Sequence, residues 1–190
     1  FRTTAISEGS KKFLDKIKIW IKIDKFSQPI KIIKVVDRHP NNSLIFKNPQ
    51  KNNNLGYIVS NKKIKEVLIE TIRKNKNIKC FTHVELKNIS HKNGCIESKF
   101  NKIVIQSKLI LAADGKNSKV RKIIKTPAFQ KKYTQKAIVI NFNHTKNHDS
   151  TAYELFFKSG PLAILPRKKT KKNLFSSSLI WSHSSPFVES

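Results

Sequence analysis

The sequence predicts a mixed α/β (α+β) protein, and three observations carry that prediction. Helical stripes and β-branched runs alternate through the first part of the 190 residues. From Lys131 onward, strand-like segments follow one another, joined by polar turns. Between them lies Leu109-Ile110-Leu111-Ala112-Ala113-Asp114-Gly115, an apolar run into Asp-Gly, with Arg121 seven positions after Asp114 in a helical pattern. A 38% hydrophobic content fills a core for one domain or a little more. Five Gly and seven Pro argue against a low-complexity chain.

Each element has a local reason. Ser7 or Ser10 caps a helix over residues 11–19, with Phe13, Leu14, Ile17 and Trp20 as its apolar stripe. Residues 29–37 and 44–46 are β-branched and strand-like, whereas 40–42 and 49–54 are loop material. Residues 55–61 read as a strand ending in a polar pair. A helix over 62–74 follows, carrying Ile64, Val67, Leu68 and Ile72 on one face. Residues 78–81 and 84–89 read as strands, and 95–98 with 102–105 as a hairpin ahead of a buried strand at Leu109. Ser118 caps a helix over 119–125. Residues 137–142, 151–157, 162–165 and 174–181 form an antiparallel sheet, which places a boundary near Thr126-Pro127.

The Asp-Gly turn is the leading candidate for chemistry. A carboxylate at a strand end accepts hydrogen bonds from a ribose, Gly115 lets backbone approach a ligand, and helix-start N–H groups with an Arg favour phosphate. Its bland alternative is an ordinary turn. The net charge of +27 suggests nucleic acid or an anionic membrane. All but five of the 39 basic residues are Lys, however, and they are spread along the chain with only Arg167-Lys168-Lys169-Thr170-Lys171-Lys172 clustered. No aromatic-rich recognition strand accompanies the charge. Cys80 and Cys95 read as buried free thiols of a reducing compartment. His144 and His148, with no acidic or Cys partner, read as a solvated loop, so no metal site is expected. No apolar run reaches the ~18 residues that span a bilayer.

Four segments, in order, resemble the group A flavoprotein hydroxylases, the class of para-hydroxybenzoate hydroxylase, and within it the ubiquinone-biosynthesis branch. Arg2-Thr3-Thr4-Ala5-Ile6-Ser7-Glu8-Gly9-Ser10 is similar to the Arg segment that reaches the flavin dinucleotide. Leu55-Gly56-Tyr57-Ile58-Val59-Ser60-Asn61 resembles the segment whose polar residue contacts the flavin. Ala113-Asp114-Gly115 with Arg121 resembles the family's Asp-Gly motif. Gly160-Pro161-Leu162-Ala163-Ile164-Leu165-Pro166, with Ser178-Leu179-Ile180-Trp181-Ser182, resembles the substrate-domain sheet and points to the ubiquinone branch.

The resemblance implies a partial FAD-binding, Rossmann-like domain with inserted strands over 1–126 and a partial substrate-binding β-sheet domain over 127–190. It implies hydroxylation of a polyprenylated phenol using FAD, NAD(P)H and O2, with no catalytic triad and no metal, because the cofactor carries the chemistry. Arg2, Asn61, Asp114, Gly115 and Arg121 are the implied FAD-binding residues. Each has a plainer alternative: a frayed terminal charge for Arg2, a helix cap for Asn61, a surface charge for Arg121. A cytoplasmic protein is implied, peripheral to the inner membrane through the lysines of 168–172 and in contact with other ubiquinone-biosynthesis enzymes, and not with nucleic acid. The competing reading is a basic nucleic-acid- or membrane-binding module without catalysis.

The chain departs from the family in lacking a Gly-x-Gly-x-x-Gly fingerprint, the acidic residue that follows it, and a later Gly-Asp segment. Arg167-Lys168-Lys169 stands where the family turns with smaller or apolar residues. The expectation is therefore an internal fragment that does not retain FAD or activity by itself.

Overall fold

A computed structural model describes residues 2–37, 43–50, 53–171 and 173–184. The expected loop at 40–42 lies outside the described residues, as do positions 51 and 52 of the loop at 49–54. Two compact units form, Phe1–Asn75 with Tyr133–Ser190, and Lys76–Lys132.

The first unit starts with β1 (Thr3–Ser7), which runs directly into α1 (Glu8–Lys16). Ser7 is the cap: its Oγ accepts from the Ser10 N–H at 3.2 Å, and Glu8 sits favourably in the first turn. Lys18, at φ 57°, ends the helix, and the Ile19 N–H closes onto the Leu14 carbonyl at 2.8 Å. α2 (Trp20–Ile23) and a 3₁₀ turn over Asp24–Phe26 follow. Then come β2 (Gln28–Ile30), β3 (Ile32–Asp37), β4 (Ser43–Lys47), β5 (Gly56–Ser60) and α3 (Asn61–Lys74).

β1, β5 and β2 form a three-stranded antiparallel sheet with β5 central, and its strand is buried along nearly its whole length. Ile6, Ile19, Trp20, Ile23, Tyr57, Val59 and Val67 make the core against it. Trp20 and Leu14 pack there as the stripe requires, whereas Phe13 and Ile17 are exposed. The left-handed turn at Lys18 breaks the helix before Ile17 and Trp20 can share one face.

The second unit holds β6 (Leu86–Lys92), β7 (Cys95–Phe100) and β8 (Val104–Ser107) as an antiparallel meander, then α4 (Lys119–Ile123). Two expected strands are absent. Residues 78–81 and the apolar run at Leu109 have no strand partner, and Leu109 and Leu111 are 69% and 80% exposed. A wholly apolar strand needs hydrogen-bonded neighbours on each side and cover on each face, and the meander supplies neither. Cys80 is exposed and Cys95 half-buried, so the thiols are free but not buried as expected.

The first unit resumes with β9 (Gln135–His144), β10 (Thr151–Phe157), β11 (Gly160–Lys171) and β12 (Leu174–Ser184). Their sheet has six strands, in the order β4-β3-β10-β11-β12-β9. It differs from the expected C-terminal antiparallel sheet in recruiting β3 and β4, with β3 parallel to β10. The β-branched run at 32–36 pairs there because Lys31 and Ile32 donate to the Ser150 carbonyl at the start of β10. Ile30, Ile58 and Ala152 form a second small core, joined by Ile33, Leu55 and Leu165.

Gly160 opens β11 at φ 137°, and a Cβ there would lie 2.1 Å from the Ser182 carbonyl oxygen. Only glycine admits that approach. Ser176 and Ser178 are fully buried on β12, where their hydroxyls donate to the Asn143 and Asn141 side chains of β9.

Candidate functional site

The pairing of β1 with β5 brings Arg2 and Asn61 together in the first unit. The register sets Thr3 opposite Ser60, and one step beyond, the Asn61 N–H donates to the Arg2 carbonyl at 3.1 Å. The Thr4 hydroxyl donates to Asn61 Oδ1 at 2.6 Å, which orients the amide and leaves Nδ2 as its donor. Asn61 is the first residue of α3 rather than its cap, and the cap position belongs to Ser60, which makes no side-chain cap bond. Asn61 therefore has a positioned, exposed amide that helix capping does not consume. The Arg2 side chain is exposed.

Asp114, Gly115 and Arg121 come together in the second unit. Asp114 Oδ2 accepts from the N–H groups of Lys119 at 2.6 Å and Val120 at 3.1 Å. A bond with the Ser118 side chain, followed by the Val120 N–H, holds the Asp114 carboxyl below the usual carboxylate range. Ser118 Oγ accepts from the Arg121 N–H at 3.0 Å, as expected of the cap. Gly115 sits at φ 84° with open space where a Cβ would point, and Arg121 donates from a terminal guanidinium nitrogen to the Lys116 carbonyl at 2.8 Å. The first N–H groups of α4 are thus satisfied by Asp114 and Ser118, so the expectation that they would face a phosphate is corrected. Glu85 lies beside this turn, and its hydrogen bonds to Lys119 and Lys87 hold its carboxyl down at about 2.

The described residues include no group of three His, Cys, Asp or Glu side chains that could hold a metal ion. In the first unit the Arg2 guanidinium and Asn61 Nδ2 are donors suited to anionic or carbonyl oxygens, and in the second the Asp114 carboxylate is an acceptor suited to hydroxyls, chemistry that fits a nucleotide cofactor.

Sequence reasoning missed a cavity of about 420 Å³ in the first unit. Phe26 and Ile58 line it with Thr3 and Ser60, and Lys25, Lys62, Lys63 and Arg167 to Lys169 bring the charge. The signal was the basic run at 167–169, which the chain carries in place of apolar residues. His144 and His148, expected in a solvated loop, are instead partly enclosed. His144 Nε2 bonds Ser177 Oγ at 2.9 Å and stacks on Phe175, and His148 bonds the Arg167 carbonyl at 3.3 Å.

Ubiquinone hydroxylase UbiL of Rhodospirillum rubrum is 27% identical over 188 residues, covering 98% of this chain and 43% of that protein. The mitochondrial ubiquinone biosynthesis monooxygenase COQ6 of zebrafish is 27% identical over 200 residues, covering 99% of this chain and 40% of its own. The chain is similar to ubiquinone hydroxylases along almost its whole length. No family model matches it. Among solved structures, PqsL of Pseudomonas aeruginosa in complex with 2-aminobenzoylacetate superposes with a TM-score of 0.82 at 11% identity, over 99% of this chain and 52% of that one. CtdE in complex with FAD and a substrate gives 0.74 at 15% identity, over 96% and 48%. The chain therefore shares the fold of part of these two solved proteins, and it spans less than half the length of the curated relatives it matches.

Proposed function

We propose that this chain is the central part of an FAD-dependent monooxygenase that hydroxylates a polyprenylated phenol in ubiquinone biosynthesis. The observation that carries the reading is the Asn61 side chain, oriented by Thr4 beside Arg2 and left with a free-standing donor, in a chain whose relatives are ubiquinone hydroxylases. Arg2 and Asn61 in the first unit, and Asp114, Gly115 and Arg121 in the second, are the proposed FAD-binding residues. When bound, FAD supplies the redox chemistry that couples NAD(P)H oxidation and O2 to ring hydroxylation. The protein's share is to bind, orient and exclude water. Thr4 fixes the Asn61 amide, and the Asp114–Arg121 turn is held by internal hydrogen bonds so that little reorganises on binding. In functional terms residues 1–126 belong to the flavin-binding part and 127–190 to the substrate sheet, to which β3 and β4 lend two strands.

No described helix is long and apolar enough to cross a membrane. A polyprenyl substrate resides in the bilayer, so the reading includes peripheral attachment through the chain's positive charge. Binding to anionic liposomes is expected to fall when the lysines of 168–172 are replaced by Gln, and unchanged binding removes that element.

The whole reading frame provides the main test. Reading it outward should reveal a Gly-x-Gly-x-x-Gly segment upstream and a Gly-Asp segment downstream. The protein so encoded should oxidise NAD(P)H faster when a prenylated phenol is added. An intact gene lacking both segments, or no flavin-dependent oxidation, would overturn the proposal.

A further inference from the structure

We propose that the turn between β9 and β10 is a pH-operated latch, closed by the neutral His148 ring and opened by its imidazolium, which frees the stretch of β11 around Arg167. Asp149 and Ser150 stand in this turn at φ 47° and 55°. Two successive non-glycine residues in the left-handed region cost conformational energy, so the turn persists because its surroundings hold it. The holding bonds converge on His148 and Ser150. The Ser150 N–H donates to His148 Nδ1 at 3.1 Å, and His148 Nε2–H donates to the Arg167 carbonyl at 3.3 Å. The Ser150 carbonyl accepts from the Lys31 and Ile32 N–H groups at 2.9 and 3.4 Å, and its hydroxyl accepts from Gln28 Nε2 at 3.1 Å.

A single form of the ring makes both His148 bonds. Accepting at Nδ1 while donating at Nε2 requires the neutral Nε2–H tautomer, and a second proton sets a donor against the Ser150 donor. His144, its ring centre 6.2 Å away, differs. Its Nδ1 donates to the Lys146 carbonyl at 2.6 Å, and its Nε2 meets the Ser177 hydroxyl at 2.9 Å. A hydroxyl both donates and accepts, so a proton on His144 breaks neither bond. Burial, above all, pushes the His148 ring below its ordinary value of 6.5. The Arg167 carbonyl and Asp149 oppose that shift, His144 on β9 and Lys169 on β11 add to it, and Phe175 on β12 brings no charge. The latch is therefore closed above 6.5 and opens as pH falls through the lower, folded value.

The register shows what opening releases. β10 and β11 pair from Phe157 opposite Gly160 to Tyr153 opposite Ile164. His148 reaches β11 three residues further on, where the register of β11 with β12 slips between Arg167 and Lys171. Arg167, Lys168 and Lys169 of this stretch line the cavity, so its wall loosens with the latch. Through Ser150, so does the start of the pairing between β3 and β10.

The latch involves no flavin and stands apart from the hydroxylase reading. Hydrogen exchange of the protein encoded by the whole reading frame tests it between about pH 8 and about pH 5, each amide's rate being divided by its intrinsic rate at that pH. Protection in 31–33, 148–151 and 165–169 is expected to fall about ten-fold or more in one step below 6.5, while the Ile58 and Val59 amides of β5 keep theirs. His148→Gln, which cannot titrate, should show no step. His144→Gln and Lys169→Gln should move the step to higher pH. Asp149→Asn, which tolerates the left-handed backbone, should move it to lower pH. Protection of β5 at the upper pH confirms that each variant is folded, and nitrogen NMR of the neutral His148 ring should place its proton on Nε2.

A step that persists in His148→Gln, a neutral ring protonated at Nδ1, or a loss of β5 protection at the same pH would overturn the proposal. A protein that shows the step and takes up no flavin would leave the latch standing and remove the hydroxylase reading alone.

Discussion

Gly160→Ala tests the sheet on which the substrate reading stands. At φ 137° an alanine is strained, at a cost of about 1–3 kcal/mol. Its Cβ would also sit 2.1 Å from the Ser182 carbonyl oxygen. An ordinary carbon–oxygen contact is about 3.3 Å, so β11 and β12 must separate by roughly 1 Å at that end. Losing one ladder hydrogen bond there adds about 1 kcal/mol. The sum is a loss of about 2–4 kcal/mol, a large part of the 5–15 kcal/mol typical of a domain. Urea unfolding followed by tryptophan fluorescence reads it, since Trp181 pairs with Leu162 on β11. At an m-value of about 2 kcal/mol/M, the midpoint should fall by about 1–2 M. Gly9→Ala is the control: it lies in α1, its Cβ meets only Ser7 Oγ at 3.9 Å, and it should gain about 0.5–1 kcal/mol. A Gly160→Ala midpoint equal to that of the unaltered chain would refute the reasoning about this strand end.

Other perturbations bear on the core and the site. Ile23→Ala empties a position 1% exposed in the core under β5 and should cost about 2–5 kcal/mol in the same unfolding experiment. His148 is pushed below its ordinary pKa, chiefly by burial, so the folded chain favours the neutral ring. Its contribution is complete above the ordinary value of 6.5 and is lost as pH falls from there through the folded value, so His148→Gln should flatten the acid limb of a melting-temperature profile. Asp114→Asn removes the ionised acceptor for the Lys119 and Val120 N–H groups, and faster amide exchange at those two positions should report it. Thr4→Val frees the Asn61 amide without removing it; in the whole protein it should speed FAD release by several-fold, less than Asn61→Ala does.

What the sequence made legible is what short-range chemistry decides. Of the two caps expected, Ser7 or Ser10, the structure uses Ser7; the Ser118 cap, residues 151–157 as a strand and the helix expected over 62–74, observed over Asn61–Lys74, follow from local residue types. Two glycines were legible for a different reason. Gly160 and Gly115 stand where the backbone excludes or strains a side chain, so the glycine itself is the trace of the geometry.

What failed was long-range. The strands expected at 78–81 and Leu109 have the right composition, but strand formation needs a partner, and composition does not say whether one is beside them. The recruitment of β3 to the six-stranded sheet depends on Ser150, over a hundred residues away. The cavity was hidden for the same reason: Lys25 and Lys63 read as scattered surface charge, and only their meeting with the clustered run at 167–169 forms it.

The proposed reading assigns Arg2 and Asn61 in the first unit, and the Asp114 turn in the second, to binding a flavin. The most direct measurement is the visible spectrum of the protein purified from the whole reading frame, with its variants Arg2→Ala and Asp114→Ala. The account predicts a flavin spectrum whose released cofactor is FAD, with occupancy reduced by each substitution while folding is kept. A colourless protein that gains no flavin spectrum when FAD is added would contradict it.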